Sequence, residues 1–276
     1  MKENDINKII NNVLLVDKKN LSNNIKPILK NIKISIKDNQ DILLQANKID
    51  TKNNNAFQLS FDIIDNIFKR VEKENIFYKD VTLLQKDNNK KIIYGKQIMD
   101  YGNVVIITDG NPYLSLEMIL RNIMAGNTII LVNNGFMYGI NNLIVNIVQS
   151  ILENYKVSKN LIQLFINDDY KEVLNNYANI DLVVCIGNHE LQRLIIRESK
   201  NKVITSGYEN FDLYIEDTKH LVFLNQIINT VLNVNLYINK DTNLDYDTAI
   251  IVSDIDEAIA QINYNGSRYS SAIFTS

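Results

Sequence analysis

Residues 103–132 read NVVIITDGNPYLSLEMILRNIMAGNTIILV, in which two short β-branched runs flank a helical spacing of leucine, isoleucine and methionine. The runs NVVIIT and NTIILV are apolar at consecutive positions, which is typical of strands buried on both faces of a parallel sheet. Parallel strands need a crossover connection, and the helical pattern between these two supplies one. The stretch therefore predicts an α/β protein built on a parallel sheet.

The same alternation continues after residue 132. Helical patterns separate three more apolar runs, LIQLFI at residues 161–166, DLVVCIG at 181–187 and KVITSG at 202–207. Four strand-to-helix steps in succession predict a Rossmann-like parallel sheet with helices on both faces.

The regions on either side of this sheet have different patterns. The first 80 residues carry apolar side chains at three- and four-residue spacings, which predicts several amphipathic helices. VTLLQ and KIIYG, separated by the polar KDNNK, predict a protruding β-hairpin over residues 81–98. Beyond residue 211, DLYI, NLYIN, AIIVS and SSAIFT predict further strands, with helices over 221–231 and 255–262.

Composition narrows the classes of partner. The chain has 276 residues and a net charge of −3, which argues against nucleic acid or an anionic membrane as partner. Its apolar runs are shorter than the roughly 20 residues that cross a bilayer, and its first residues lack a signal-peptide pattern. We therefore expect a soluble cytoplasmic protein. One cysteine excludes an internal disulfide, and a metal site is not expected, although one made of carboxylates stays open.

Ligands of a doubly wound sheet bind at the carboxyl ends of its strands, so a binding motif is expected in the segments that follow the strands. These segments, called strand exits below, are TDGNPYLS, NNGFMYG and IGNHE. They contain neither the GxGxxG dinucleotide fingerprint nor a GxxxxGK[ST] phosphate loop. Nucleotide binding is therefore not indicated by either motif, because both are absent from these segments.

A resemblance to a known family rests on four segments. Residues 102–135 resemble the part of γ-glutamyl phosphate reductase, in the aldehyde dehydrogenase superfamily, that reads G-V-I-G-V-I-Y-E-A-R-P-N-V-T followed by S-G-N-A-V-I-L-R-G-G. NQDILLQANKIDTKN at 39–53 resembles A-D-x-I-L-x-A-N-x-x-D, and DLVVCIGNHELQRLI at 181–195 resembles D-L-V-I-P-R-G-G-x-x-L-I. SDIDEAIAQINYNGSRYSSAIFT at 253–275 resembles D-S-L-D-E-A-I-x-H-I-N-x-Y-G-S-x-H-T-E-A-I-V-T.

The family reaction implies a cysteine that forms a thioester and NADPH that delivers a hydride. The family motif S-V-C-N-A-x-E-T-L-L-V falls on TVLNVNLYI, residues 230–238, and puts Leu232 at the cysteine position. Cys185 lies in an apolar strand with no lysine or arginine beside it in sequence, so we interpret it as a small buried side chain. The resemblance therefore implies no catalytic residue in this chain.

The resemblance also implies a place for a dinucleotide, with NADP as the cofactor. The departures from the family are a lost arginine before Asn133, a lost arginine before Pro112 and an added acid at Glu190. Pro112 is explained by helix initiation alone, and His189 is either an anion ligand or a solvent-exposed side chain. The candidate cofactor-binding residues at the strand exits are Asn111, Pro112, Asn133, Asn134, Gly135, Gly187, Asn188 and His189.

The implied organisation is N-terminal helices on the sheet (1–80), an oligomerisation-type hairpin (81–98), a Rossmann-like domain (99–231) and a vestigial catalytic segment (232–276). Much of the family's catalytic domain is missing between Leu236 and Ala249 and again after Thr275. One hypothesis is a degenerate, inactive relative with a nucleotide-binding or protein-interaction role. The alternative is an NADP-dependent oxidoreductase that works without a cysteine or with a partner chain. A third is a homo-oligomer or partner-binding protein that pairs through the hairpin, as the family does.

Overall fold

The computed structural model describes residues 6–52, 59–87, 92–133, 135–166, 170–206, 211–217, 234–242, 249–265 and 270–275. The chain divides into two compact units, Met1–Ser206 and Gly207–Ser276. In the described residues, no helix is both long enough and apolar enough to cross a membrane.

Four helices open the first unit, as the spacing of apolar residues predicted. They are α1 (Ile6–Leu14), α2 (Leu21–Asp38), α3 (Gln40–Asp50) and α4 (Phe61–Glu74). Helices α1, α2 and α4 each bury one apolar stripe, which in α1 consists of Ile6, Ile9, Ile10 and Val13, whereas α3 buries Leu43 together with the polar Asn47.

The predicted hairpin is confirmed. Strands β1 (Val81–Asp87) and β2 (Ile92–Gln97) pair antiparallel, with a register irregularity between Leu83 and Gln85. They form a two-stranded sheet that no other described strand joins.

The predicted parallel sheet is also confirmed, and it has five strands in the order β5-β4-β3-β6-β7. The strands are β3 (Asn103–Thr108), β4 (Thr128–Asn133), β5 (Ile162–Ile166), β6 (Leu182–Ile186) and β7 (Val203–Ser206). The connecting helices are α5 (Pro112–Ala125), α6 (Tyr138–Asn154), α7 (Lys171–Leu174) and α8 (His189–Glu198). Helix α7 is only four residues long, and a 3₁₀ segment follows it at Tyr177–Asn179.

Helices cover both faces of this sheet, and alternate residues of each strand enter different cores. Val104 and Ile106 of β3 pack with helices α2 to α6, whereas Val105 and Ile107 pack with α1, α7 and α8. Burying an isoleucine, leucine or valine contributes roughly 1.5–3 kcal/mol relative to exposing it. The consecutive apolar runs of the sequence are thus explained by two cores on one sheet.

The second unit contains a separate parallel sheet in the order β10-β9-β8-β11. Its elements are β8 (Phe211–Ile215), β9 (Val234–Asn239), β10 (Ile250–Val252), helix α9 (Ile255–Asn265) and β11 (Ser270–Phe274). The predicted boundary at residue 231 is therefore wrong, because β8 pairs with β9 and β11 and not with β7. The helix predicted over 221–231 lies outside the described residues.

Candidate functional site

The strand order places a switch point between β3 and β6. The chain leaves β3 toward β4 and β5 on one side and returns to β6 and β7 on the other. All five strands are parallel, so the exits of β3, β4 and β6 lie along the same edge of the sheet. This edge is the place where ligands of doubly wound sheets bind.

The β3 exit is a self-capped helix start. Asn111 is the N-cap of α5, and its side-chain oxygen accepts from the backbone N–H of Tyr113 at 3.0 Å and of Leu114 at 3.4 Å. Pro112 is buried at the first helical position, which its fixed φ suits. The predicted role of Pro112 in helix initiation is confirmed, and two N–H groups that a phosphate would need are already bonded.

The β4 exit is a short loop held by buried amides. Asn133 is fully buried, and its Oδ1 accepts from the N–H of Gly135 at 2.9 Å. Asn141, in the first turn of α6, donates from Nδ2 to the carbonyls of Gly110 at 2.8 Å and Met137 at 2.9 Å. Asn134 lies outside the described residues. The amides thus tie the β3 and β4 exits together.

The N-terminus of helix α6, which follows this loop, is capped by a carboxylate from helix α3. Asp50, the last residue of α3, accepts from the N–H of Gly139 at 3.1 Å and of Ile140 at 2.8 Å. A carboxylate at a helix N-terminus interacts favourably with the helix dipole and with the unpaired N–H groups. The chain therefore supplies its own anion at α6.

The β6 exit is closed in a similar way. Asn188 is the N-cap of α8 and accepts from the N–H of Leu191 at 2.9 Å, while the carbonyl of Gly187 accepts from Gln192 Nε2 at 2.8 Å. A Cβ at Gly187 would stand 2.6 Å from a methyl carbon of Leu191. This glycine permits close packing of α8 on the strand. His189 begins α8, and its side chain lies outside the described part of the chain.

The electrostatics of these exits do not favour a pyrophosphate. Glu190 places an acid in the first turn of α8, and Asp109 is a second acid at the β3 exit, where burial raises its pKa and so favours its neutral form. The described residues of the β3, β4 and β6 exits include no lysine or arginine, and Asp50 adds a third acid at α6. Pyrophosphate sites use free N–H donors and positive charge. The residues present therefore do not fit the diphosphate of NADP.

Cys185 has the environment that the sequence predicted. It lies within β6, is fully buried, and pairs in register with Ile107 of β3 and Thr205 of β7. Burial raises the pKa of its thiol to about 12. Because the thiolate is the nucleophilic form, this cysteine is unreactive near neutral pH.

No family model matches the chain. The γ-glutamyl phosphate reductase of Dictyoglomus thermophilum is 24% identical over 316 residues, which cover 90% of this chain and 76% of the relative. The solved γ-glutamyl phosphate reductase of Thermotoga maritima matches with a TM-score of 0.68 at 17% identity, covering 98% of this chain and 82% of that one. A probable aldehyde dehydrogenase from Listeria monocytogenes matches with a TM-score of 0.66 at 13% identity, covering 95% and 58%.

The chain has an aldehyde dehydrogenase-like fold and resembles γ-glutamyl phosphate reductase. A glyceraldehyde-3-phosphate dehydrogenase from Methanocaldococcus jannaschii, solved with NADP, shares the fold with a TM-score of 0.62 at 15% identity over 96% of this chain and 59% of that one. The alignment with the Dictyoglomus reductase spans 316 residues but covers only 90% of the 276 residues of this chain, which is about 248, so about 68 aligned positions have no counterpart here. Relative to that reductase, the chain is shortened internally.

The site residues split into those that sequence reasoning named and those that it missed. The exits of β3, β4 and β6 bring Asn111, Asn133 and Asn188 to one edge, each with its side chain bonded to the backbone nearby. Leu232 lies outside the described residues. Sequence reasoning missed the cap formed by Asp50, although this acid ends the family-like segment ANKID.

Proposed function

We propose that the protein is a non-catalytic relative of γ-glutamyl phosphate reductase that acts by assembling with other protein chains, in the first place with copies of itself. The hairpin β1–β2 is the proposed contact. The observation that carries the proposal is the exposure of large apolar side chains on a ribbon that no third described strand completes.

The hairpin is poorly suited to stand alone in water. An isolated two-stranded ribbon is marginally stable, and its outer edges offer unpaired N–H and C=O groups to another strand. Leu83 is 72% exposed and Leu84 is 67% exposed, and Ile93 and Tyr94 on the second strand are also exposed. Exposed apolar clusters of this kind are typical of protein interfaces.

The lack of catalysis is inferred from the chemistry that the family reaction requires. The only cysteine of the sequence is Cys185, whose buried thiol has a pKa of about 12. The family-like segment that would hold the nucleophile has Leu232 in its place. A leucine side chain cannot form a thioester, and a thiol that stays protonated is a poor nucleophile.

The alternative is an NADP-dependent aldehyde or acyl-phosphate oxidoreductase, with a non-cysteine mechanism or a partner chain that supplies the nucleophile. The observation that favours it is the fold shared with a dehydrogenase solved with NADP. An intermediate case is an inactive protein that still binds a nucleotide. Fold alone does not establish function, and the self-capped, acidic strand exits argue against both.

Multi-angle light scattering of the full chain tests the proposal. We expect the wild-type protein to be a dimer or larger, and a Leu83→Lys/Ile93→Lys variant to be a monomer, because two charges disrupt an apolar interface. Ile49→Lys is the matched control, since Ile49 on α3 is 70% exposed and lies outside the hairpin.

Two outcomes contradict self-assembly through the hairpin. One is a wild-type protein that stays monomeric over the whole concentration range. The other is an equal loss of assembly in the hairpin variant and in the Ile49→Lys control.

A further inference from the structure

The two faces of the hairpin β1–β2 differ in chemistry. Directly opposed residues of an antiparallel pair lie on the same face, and so do alternate residues of one strand. The register pairs Val81 with Gln97 and Leu83 with Gly95, so Ile93, two residues before Gly95, shares their face. We call this side of the hairpin the apolar face.

The opposite side of the hairpin is the polar face. Thr82 pairs with Lys96 there, and Tyr94 lies on the same side of β2 as Lys96. Among the hairpin residues whose side chains the structure describes, the polar face has a lysine and the apolar face has no charged residue. A partner of the apolar face has to be apolar itself, because a charged side chain buried there would lose its hydration without gaining a counter-charge.

The apolar face is open to solvent in the single chain. Val81 is 61% exposed, Leu83 is 72% exposed and Ile93 is 58% exposed. A Cβ at Gly95 would stand 3.7 Å from a methyl carbon of Leu83 and 4.0 Å from one of Val81. The two side chains therefore adjoin one another beside this glycine, and adjoining exposed apolar groups are typical of protein interfaces.

The edges of the hairpin are less suited than this face to contact another strand. Leu84 is an extra residue of β1 that has no register partner on β2. Such a bulge interrupts the regular row of N–H and C=O groups, and bulges and lysines are common features that protect strand edges from pairing. Strand β1 has the bulge and strand β2 has Lys96. The hairpin is therefore better suited to stacking by a face than to pairing by an edge.

The base of the hairpin is anchored to the first unit. The N–H of Tyr78 donates to the carbonyl of Met124 in α5 at 2.8 Å, and the N–H of Lys79 donates to the carbonyl of Ile98 at 2.8 Å. The side chain of Tyr78 is buried. A contact surface that is held in place before binding loses less conformational freedom when the partner arrives.

We propose that two copies of the chain dimerise by stacking the apolar faces of their hairpins, and not by joining hairpin edges into one sheet. This inference rests on the self-assembly proposed above and names the surface that makes the contact. A second copy supplies the same uncharged apolar face, and a two-fold axis brings identical patches together.

The size of the face sets the expected strength of the dimer. With seven residues in β1, at about 3.4 Å per residue and about 5 Å per strand, the face measures roughly 200 Å². A standard interface buries roughly 800 Å² on each partner. The dimer should therefore dissociate on dilution, and its dissociation constant can be measured.

Sedimentation velocity of the full chain over a wide range of concentrations gives this dissociation constant. Leu83 and Thr82 are exposed neighbours on β1 that lie on opposite faces, so lysine at each position forms a matched pair. Leu83→Lys should weaken the dimer about tenfold or more, because its charge would be buried without a counter-ion. Thr82→Lys should stay within about twofold of the wild type, since a residue outside the contact contributes little. Circular dichroism establishes that each variant is folded.

Cysteine cross-linking gives a second readout of the face that makes the contact. Ile93→Cys and Lys96→Cys place a thiol on the apolar and polar face of β2, and the native Cys185 is buried and unreactive. A short bismaleimide should link two copies of Ile93→Cys and leave Lys96→Cys as single chains.

The outcomes separate this inference from the proposed self-assembly. A wild-type protein that is monomeric at every concentration contradicts the self-assembly, and the stacked dimer with it. If the wild type assembles but Leu83→Lys and Thr82→Lys weaken the dimer equally, stacking through the apolar face alone is overturned. Cross-linking of Lys96→Cys as efficient as that of Ile93→Cys would overturn it in the same way.

Discussion

Two glycines at the strand exits have nearly the same backbone conformation but different surroundings. Gly110 has φ +92° and Gly135 has φ +88°, a region that other residues rarely adopt. A Cβ at Gly110 would stand 2.4 Å from the carbonyl oxygen of Phe136, whereas a Cβ at Gly135 meets nothing within 4 Å. The lack of a side chain at Gly110 therefore allows the β3 exit to lie close to the β4 exit.

Alanine substitutions separate backbone strain from this contact. Gly135→Ala should cost about 1–3 kcal/mol of unfolding free energy, which is the usual penalty for an unfavourable backbone conformation. Gly110→Ala should cost clearly more, because a backbone oxygen must also move. Urea unfolding of both variants measures the difference, and equal losses would show that the close approach to Phe136 does not matter.

The buried carboxyl of Asp212 predicts a pH dependence of stability. Its pKa is raised in the folded state by burial, so its contribution to stability is present below the unfolded pKa and is lost as the pH rises through the folded pKa. Asp212→Asn does not titrate. The stability of the wild type relative to this variant should therefore fall as the pH rises from about 4, the usual pKa of an unfolded aspartate, toward neutrality.

Urea unfolding of both proteins across this pH range measures the effect. Asp256→Asn is the control, because Asp256 lies in the exposed first turn of α9. A constant difference between wild type and Asp212→Asn at all pH values would mean that burial does not perturb Asp212.

The sequence predicted the burial of some single residues and missed that of others. The burial of Cys185 was predictable, because its neighbours in the strand are apolar and none is basic. Asp212 was missed, although an acid inside the strand FDLYI is itself a signal, since charged groups are rarely buried unpaired. The signal becomes specific only when the structure shows that Asp212 Oδ2 has no described partner.

At the scale of elements, the strands of the parallel sheet in the first unit were predictable from the sequence. Their residues are apolar at consecutive positions, which is typical of strands buried on both faces. The helix caps at the strand exits were not predictable, because their local sequences fit a ligand site and a helix cap equally well. Asn111 and Asn188 could have bound a cofactor, but both are bonded to their own helix starts. The carboxylate on α6 comes from Asp50, about 90 residues earlier in the chain, so a local pattern could not reveal it.

The Asp50 cap joins helices α3 and α6, and its removal should be measurable. Asp50→Ala leaves two backbone N–H groups without their acceptor, and loss of a helix cap costs about 0.5–2 kcal/mol. Thermal unfolding should show a lower melting temperature for this variant. Asp38→Ala is the matched control, because Asp38 is exposed at the C-terminal end of α2. An equal change in both variants would contradict a capping role for Asp50.

At the scale of the whole molecule, the sequence predicted the parallel sheet, the N-terminal helices and the hairpin, but placed the boundary between the units too late. The strand DLYI looks like a continuation of the first sheet, because it is short and apolar like its predecessors. Its pairing with β9 and β11 is a long-range property that strand composition does not carry. The two sheets are therefore separable only in the structure.

At the same scale, we propose that this aldehyde dehydrogenase-like chain does not bind a dinucleotide. Its strand exits are capped by Asn111, Asp50 and Asn188, and their described residues carry acids and no lysine or arginine. An anionic cofactor would have to displace a carboxylate or an amide at a helix start, at the expense of its own binding free energy.

The most direct test is a titration of the full chain with NADPH, following the cofactor's fluorescence together with the melting temperature of the protein. We predict no saturable change in fluorescence and no shift in melting temperature at millimolar NADPH. A saturable fluorescence change accompanied by a rise of several degrees would contradict the account, because a ligand that binds only the folded state must stabilise it.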